Sequence, residues 1–112
     1  RLQVARAAVL LTGDAEAIGV AAALASGVAA PADLLVLPHH GRANPLAPRL
    51  LQRVTPRACF ASAAGADGDT ALGELARRGG ADLFVTGRVG NLELDAAGRV
   101  RCSEAWRPLP PR

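Results

Sequence analysis

Short, nearly unbroken apolar runs alternate along this chain with longer segments in which apolar and polar positions mix. Val4 to Leu11 contains Ala7-Ala8-Val9-Leu10-Leu11, a run that suits a strand covered on both faces. Thr12-Gly13-Asp14 follows as a turn. Ala15 to Ala25 then reads as a helix, with Asp14 as its N-cap and Gly27 as its stop. Asp33 to Leu37 predicts a second buried strand. It runs into Pro38-His39-His40-Gly41, where a strand cannot continue comfortably. Pro45 to Val54 predicts a short helix that tolerates Pro48 in its first turn. Arg57 to Ser62 is a third strand, Gly65 to Asp69 a loop, and Thr70 to Arg78 a third helix closed by Gly79-Gly80. Asp82 to Thr86 is a fourth strand and Gly87-Arg88 a turn. Asn91 to Leu94 and Arg99 to Ser103 read as a final hairpin around Ala96-Ala97-Gly98. Arg107 to Arg112 predicts an extended, loosely held Pro-rich tail.

Strand–helix alternation on this scale means an α/β layer sandwich. The 112 residues make one domain at most. Half of them are hydrophobic and mean hydropathy is +0.19, which argues against a disordered tail. No stretch reaches the roughly 18 to 20 consecutive apolar residues of a membrane span. The first residues carry no charged-then-apolar pattern of a signal peptide. The chain starts at Arg1 rather than Met, which reads as a piece of something longer.

Thirteen basic residues stand against ten acidic ones, for a net charge of +3, and every basic residue is Arg. The sequence pI near 10.1 partly reflects that choice, since Arg stays charged far above neutral pH. A net +3 permits contact with phosphates without requiring it. Richness in Ala, Arg, Gly and Pro with no Lys is also the mark of GC-rich codon bias. Phe60, Phe84 and Trp106 are the aromatics, too few for a surface that stacks bases. Cys59 sits in an apolar run and reads as a core residue. With no CxxC, Cys59 and Cys102 do not make a zinc site, and a disulfide between them stays open.

Two spots gather chemistry. Thr12-Gly13-Asp14 follows one buried strand, and Pro38-His39-His40-Gly41 follows the next. Functional groups collect at such carboxyl ends of strands. If the two strands are neighbours, Asp14 and both histidines of the chain converge. A neutral imidazole is a good ligand for zinc, manganese or iron, and a carboxylate can bridge two cations. The pattern equally allows histidines hydrogen-bonded to backbone and an Asp14 that caps a helix, and a cap can also bind a metal.

Val9-Leu10-Leu11-Thr12-Gly13-Asp14-Ala15-Glu16, a helix, and then Ala32-Asp33-Leu34-Leu35-Val36-Leu37-Pro38-His39-His40-Gly41 resemble the second half of a metallo-β-lactamase fold domain. The resemblance is to the soluble domain of the ComEC family of competence proteins. That family has a strand ending in Thr-Gly-Asp, a helix, and a strand ending in Pro-His-His-Gly-Ser. It continues with a helix, a strand, a Gly-His-Pro loop, a helix, and a closing hairpin. The order holds here from about Val4 to Val100. Pro56 to Ser62 matches the third strand, Ala71 to Gly80 the last helix, and Leu83 to Thr86 the strand after it.

The resemblance implies half of an αββα sandwich over residues 1–106, followed by the tail at 107–112. It implies Asp14 as a metal-bridging carboxylate and the His39-His40 pair as a metal motif, with the ligating ring left open. Gly13 and Gly41 match the turns by which backbone approaches the metals. Arg42 stands where the family has Ser; it would contact a substrate phosphate by charge, or it is a solvated surface residue. Gly68-Asp69-Thr70 aligns with the Gly-His-Pro loop, so that histidine is missing and Asp69 reads as a helix cap. The family's His-x-Asp-x-Asp-His cluster is absent.

The function implied by the resemblance is that of the C-terminal part of a metal-dependent phosphodiesterase or nuclease linked to DNA uptake in natural transformation. The complete domain would hold two divalent ions, zinc or manganese. This chain alone would be inactive. Its partners would be the missing N-terminal half and DNA or another phosphodiester, with an attached membrane domain in the parent protein. The implied setting is bacterial, on the outer side of the cytoplasmic membrane. The alternative is a degenerate, metal-free half-domain that serves as a structural or DNA-binding module. In either case, a sheet lacking its partner leaves one face of Val4 to Leu11 and Asp33 to Leu37 open, which invites self-association.

Overall fold

Leu2–Val4 (β1) and Ala7–Leu11 (β2) form an antiparallel pair, so the single strand expected from Val4 to Leu11 is two, with Val4 ending one and Ala7 opening the next. They belong to a computed structural model that describes residues 2–4, 7–42, 44–62, 71–95, 97–101 and 107–111. Leu34–Val36 (β3), Ala58–Ala61 (β4) and Asp82–Val85 (β5) follow β2 in parallel. The sheet order is β1-β2-β3-β4-β5, the order of the chain itself. Helices Ala17–Ser26 (α1), Ala47–Val54 (α2) and Ala71–Arg78 (α3) make the crossovers. Successive crossovers of one hand put all three helices on one face of the sheet.

The alternation of side chains along each strand divides the core in two. Ala8, Leu10, Leu35, Cys59 and Val85 meet Val20, Leu50, Val54 and Leu72 of the helices. Val9, Leu34, Ala58 and Phe84 face the other way, against Val100 and Leu109. Val100 lies in a second sheet, and Leu109 directly follows the last strand of that sheet. Thr86–Val89 (α4) is a single helical turn where the sequence predicts only a turn at Gly87-Arg88. Glu93–Leu94 (β6) and Arg99–Arg101 (β7) then form the expected hairpin. Arg107–Pro108 (β8) adds a third strand to it.

That third strand corrects two expectations. The tail is held: Leu109 is buried, and Arg57 donates from Nε to the Pro110 carbonyl (2.6 Å) and from Nη2 to the Leu109 carbonyl (2.9 Å). The far face of the main sheet is closed over most of its width, since Val9 and Leu34 are buried beneath the small sheet. Leu2 and Leu11 remain exposed at its edge. The chain is thus α/β in three layers: helices, a mixed five-stranded sheet, and a small antiparallel sheet. Among the described residues no helix is long and apolar enough to cross a membrane. The loop at Gly65 to Asp69, with its aligned Gly68-Asp69-Thr70, lies outside the described residues, as do Cys102 and Trp106. Cys59 is a free buried thiol.

Candidate functional site

Because β2 and β3 are parallel neighbours with Leu11 opposite Val36, both chains leave the sheet at the same end and side by side. Their exits are stitched together. The Thr12 hydroxyl donates to the Val36 carbonyl at 2.5 Å, and the His39 amide donates to the Gly13 carbonyl at 3.0 Å. Gly13 turns the chain with a φ of 56°, in the left-handed region that favours glycine. Pro38–Gly41 is a short 3-10 turn whose last three residues are all left-handed: His39 (φ 48°), His40 (φ 59°) and Gly41 (φ 81°). Each non-glycine residue in that region costs on the order of 1 kcal/mol, and such strain collects at functional sites. The two adjacent histidines therefore hold a costly backbone, and it swings their rings apart to centroids 6.1 Å from each other.

His40 reaches two groups. Its Nδ1 lies 2.6 Å from the Ser62 carbonyl at the exit of β4, and its Nε2 lies 3.3 Å from Asp14 Oδ1. A carbonyl oxygen only accepts, so Nδ1 carries the hydrogen. In the neutral ring Nε2 then presents a lone pair toward a carboxylate. Two acceptors at this distance repel unless a proton or a cation lies between them. The ring is oriented as metal-bound imidazoles are, with the other ring nitrogen donating to a carbonyl. His39 takes a different partner, Glu16, with Nδ1 3.8 Å from Oε1.

The structure therefore brings Asp14 together with His40, and His39 together with Glu16. Asp14 does not cap α1: Glu16 is at the N-cap position, and no side chain makes the capping bond. The helix starts later than the sequence pattern suggests, which frees the Asp14 carboxylate to face His40. Arg42 closes the turn with its amide, donated to the His39 carbonyl at 3.1 Å. Its side chain is exposed and pairs with none of the other candidate residues. Glu16 and the Ser62 carbonyl are the groups that sequence reasoning misses. Glu16 stands two positions after Asp14, and Ser62 ends the strand beside β3. Only the strand order gives either one a partner.

Two ligands of a tetrahedral zinc ion stand about 3.4 Å apart, so the His40–Asp14 separation suits two corners of such a site. It suits an imidazolium–carboxylate pair equally well. Among the described residues no group of three or more His, Cys, Asp or Glu is placed to hold a metal. The described residues thus fall short of a metal centre by themselves.

Protein-family models, curated proteins and solved structures all give no match to this chain. The geometry of the site is what remains to indicate its chemistry.

Proposed function

We propose that this chain is the C-terminal half of a metallo-β-lactamase-type αββα domain similar to that of the ComEC family. In this reading it forms part of a metal-dependent phosphodiesterase or nuclease linked to DNA uptake in natural transformation. The observation that supports it is the meeting of Asp14 and His40 at adjoining strand exits, with the Nδ1 hydrogen of His40 committed to a carbonyl. Asp14 and His40 are this chain's ligands. His39 pairs with Glu16, and Arg42 reaches toward a substrate phosphate. The remaining ligands for two divalent ions, zinc or manganese, come from the N-terminal half, so the chain alone is inactive. The attached membrane domain belongs to the parent protein, with this domain on the outer side of the cytoplasmic membrane.

The test is calorimetric titration of the 112-residue chain with zinc and with manganese, beside the Asp14→Asn, His40→Ala and His39→Ala variants. Binding that disappears with Asp14 or His40 and survives loss of His39 is the expected result. Identical behaviour of all four chains removes the metal reading.

A second reading has its own support. Arg42 in place of the family's Ser, and Asp69 where the family has His, favour a metal-free half-domain that serves as a structural or DNA-binding module. It predicts no zinc uptake by the unaltered chain.

A further inference from the structure

The arginines whose side chains are described divide into two groups. Arg57, Arg77, Arg78, Arg99 and Arg101 each face a carboxylate. Arg42, Arg49 and Arg53 have no ion pair or hydrogen bond through their side chains among the described residues. All three fall between Asp33 and Asp67, a stretch with no Asp or Glu, where Arg57 alone of the described arginines reaches a carboxylate, that of Asp33. No Asp or Glu occurs between Glu16 and Asp33 either, so α1 and α2 carry no acid at all. Among the described residues, Asp14 and Glu16 at the carboxyl end of the sheet face the two histidines.

Between α1 and α2 runs an open groove of about 500 Å³. Ala21, Leu24 and Ala25 form its small, apolar wall, while Arg49, Gln52 and Arg53 supply the polar one. Arg49 and Arg53 are one helical turn apart, about 6 Å along the axis. Two cations repeated at that interval beside a low wall suit successive phosphates of an extended strand. Arg49 and Arg53 are both exposed beside the open groove, and an extended phosphodiester strand can lie along it and meet both. With no aromatic side chain in the lining, nothing stacks a base, so the contact is to backbone and independent of sequence.

We propose that the α1–α2 groove binds the phosphodiester backbone of a single-stranded nucleic acid, through Arg49 and Arg53. The proposal deepens the phosphodiester reading and rests on it for the class of ligand, while its residues are separate from Asp14 and His40.

The experiment is fluorescence anisotropy with a labelled oligothymidylate of about 20 nucleotides, over a series of salt concentrations. It uses the full chain, the Arg49→Gln/Arg53→Gln double variant, and a charge-matched control, Arg77→Gln/Arg78→Gln. The expected loss at low salt is at least about tenfold for the groove variant and less than about twofold for the control. Removing two phosphate contacts should also shrink the slope of log affinity against log salt by about 1.4. Unchanged affinity in the groove variant, or equal losses in both double variants, overturns the proposal. So does arginine-dependent binding to phosphatidylglycerol vesicles with none to the oligonucleotide. A His40→Ala chain measured in parallel separates the two readings. If zinc binding fails throughout but the Arg49/Arg53 dependence holds, the groove stands without the metal. If zinc binds and the dependence is missing, the groove falls and the metal reading remains.

Discussion

His40 Nε2 lies 3.3 Å from Asp14 Oδ1, across the gap between two neighbouring parallel strands. Neither residue places the other. Gly13 turns one strand exit, the left-handed run from His39 to Gly41 turns the next, and the Ser62 carbonyl sets the imidazole tautomer. The pair is half exposed on the histidine side and more so on the aspartate side, so it adds little to stability as a salt bridge.

The strained turn yields a stability prediction. His39→Gly removes a left-handed non-glycine residue and loses the long contact to an exposed Glu16 and the packing of a ring that is 30% exposed. It should raise the unfolding free energy by about 0.5–1 kcal/mol. His40→Ala keeps the strain and loses the hydrogen bond to Ser62, so it should lower that energy by about 1 kcal/mol. Urea midpoints read both effects. A destabilised His39→Gly chain would show that the packing of the His39 ring outweighs the strain of its backbone.

Arg57 holds the base of the fold together, at the opposite end of the sheet from the histidines. Besides the two tail carbonyls it faces Asp33, with Nη1 3.3 Å from Oδ1, and Asp33 Oδ2 accepts the Ala8 amide at 2.8 Å. Arg57→Met should cost about 2–3 kcal/mol, because charge-assisted bonds are lost around a mostly buried carboxylate. Hydrogen exchange at the Leu109 amide should rise together with exchange in β7. Protection that persists at Leu109 would mean that its burial against Val100, not the arginine, holds the tail.

Burial pushes the Cys59 thiol up to about 12 from an ordinary 9.0. Native protein at neutral pH should therefore present roughly a thousandfold less thiolate at this position than an unfolded chain does. In a Cys102→Ser background, a disulfide-forming thiol reagent should react no faster than the protein unfolds. The linkage has a definite sign. The folded state keeps its proton where the unfolded state loses it, so this contribution is whole below the unfolded pKa and is lost as pH rises toward the folded one. The Cys59→Ala chain should lack that alkaline decline, as followed by melting temperature against pH.

Much of the fold is legible in local pattern. The runs at Ala7 to Leu11, Asp33 to Leu37 and Arg57 to Ser62 hold strands, and Gly27 ends its helix in a left-handed residue with φ 80°. Pro48 sits in the first turn of α2, as a residue with no amide to donate should. Local pattern fails where two solutions cost nearly the same. The strand expected from Val4 to Leu11 is two antiparallel strands, because no Gly or Pro before Ala7 marks a break between them. Asp14 has the pattern of a cap, because Asp before an Ala-rich stretch has that role in many helices. The tail has the composition of a loose end, because its anchors on Arg57 and Val100 lie far back in the chain.

Local sequence therefore specifies the number and kind of most elements, the apolar faces that must be covered, and the stretch from Asp33 to Asp67 that lacks an acid. These depend on near neighbours, through backbone preference and side-chain period. Strand order and register are set in the folded chain, since they depend on which distant apolar surfaces bury one another. Those choices bring His40 to Asp14, His39 to Glu16 and Leu109 onto Val100, and leave Arg49 and Arg53 facing an open groove.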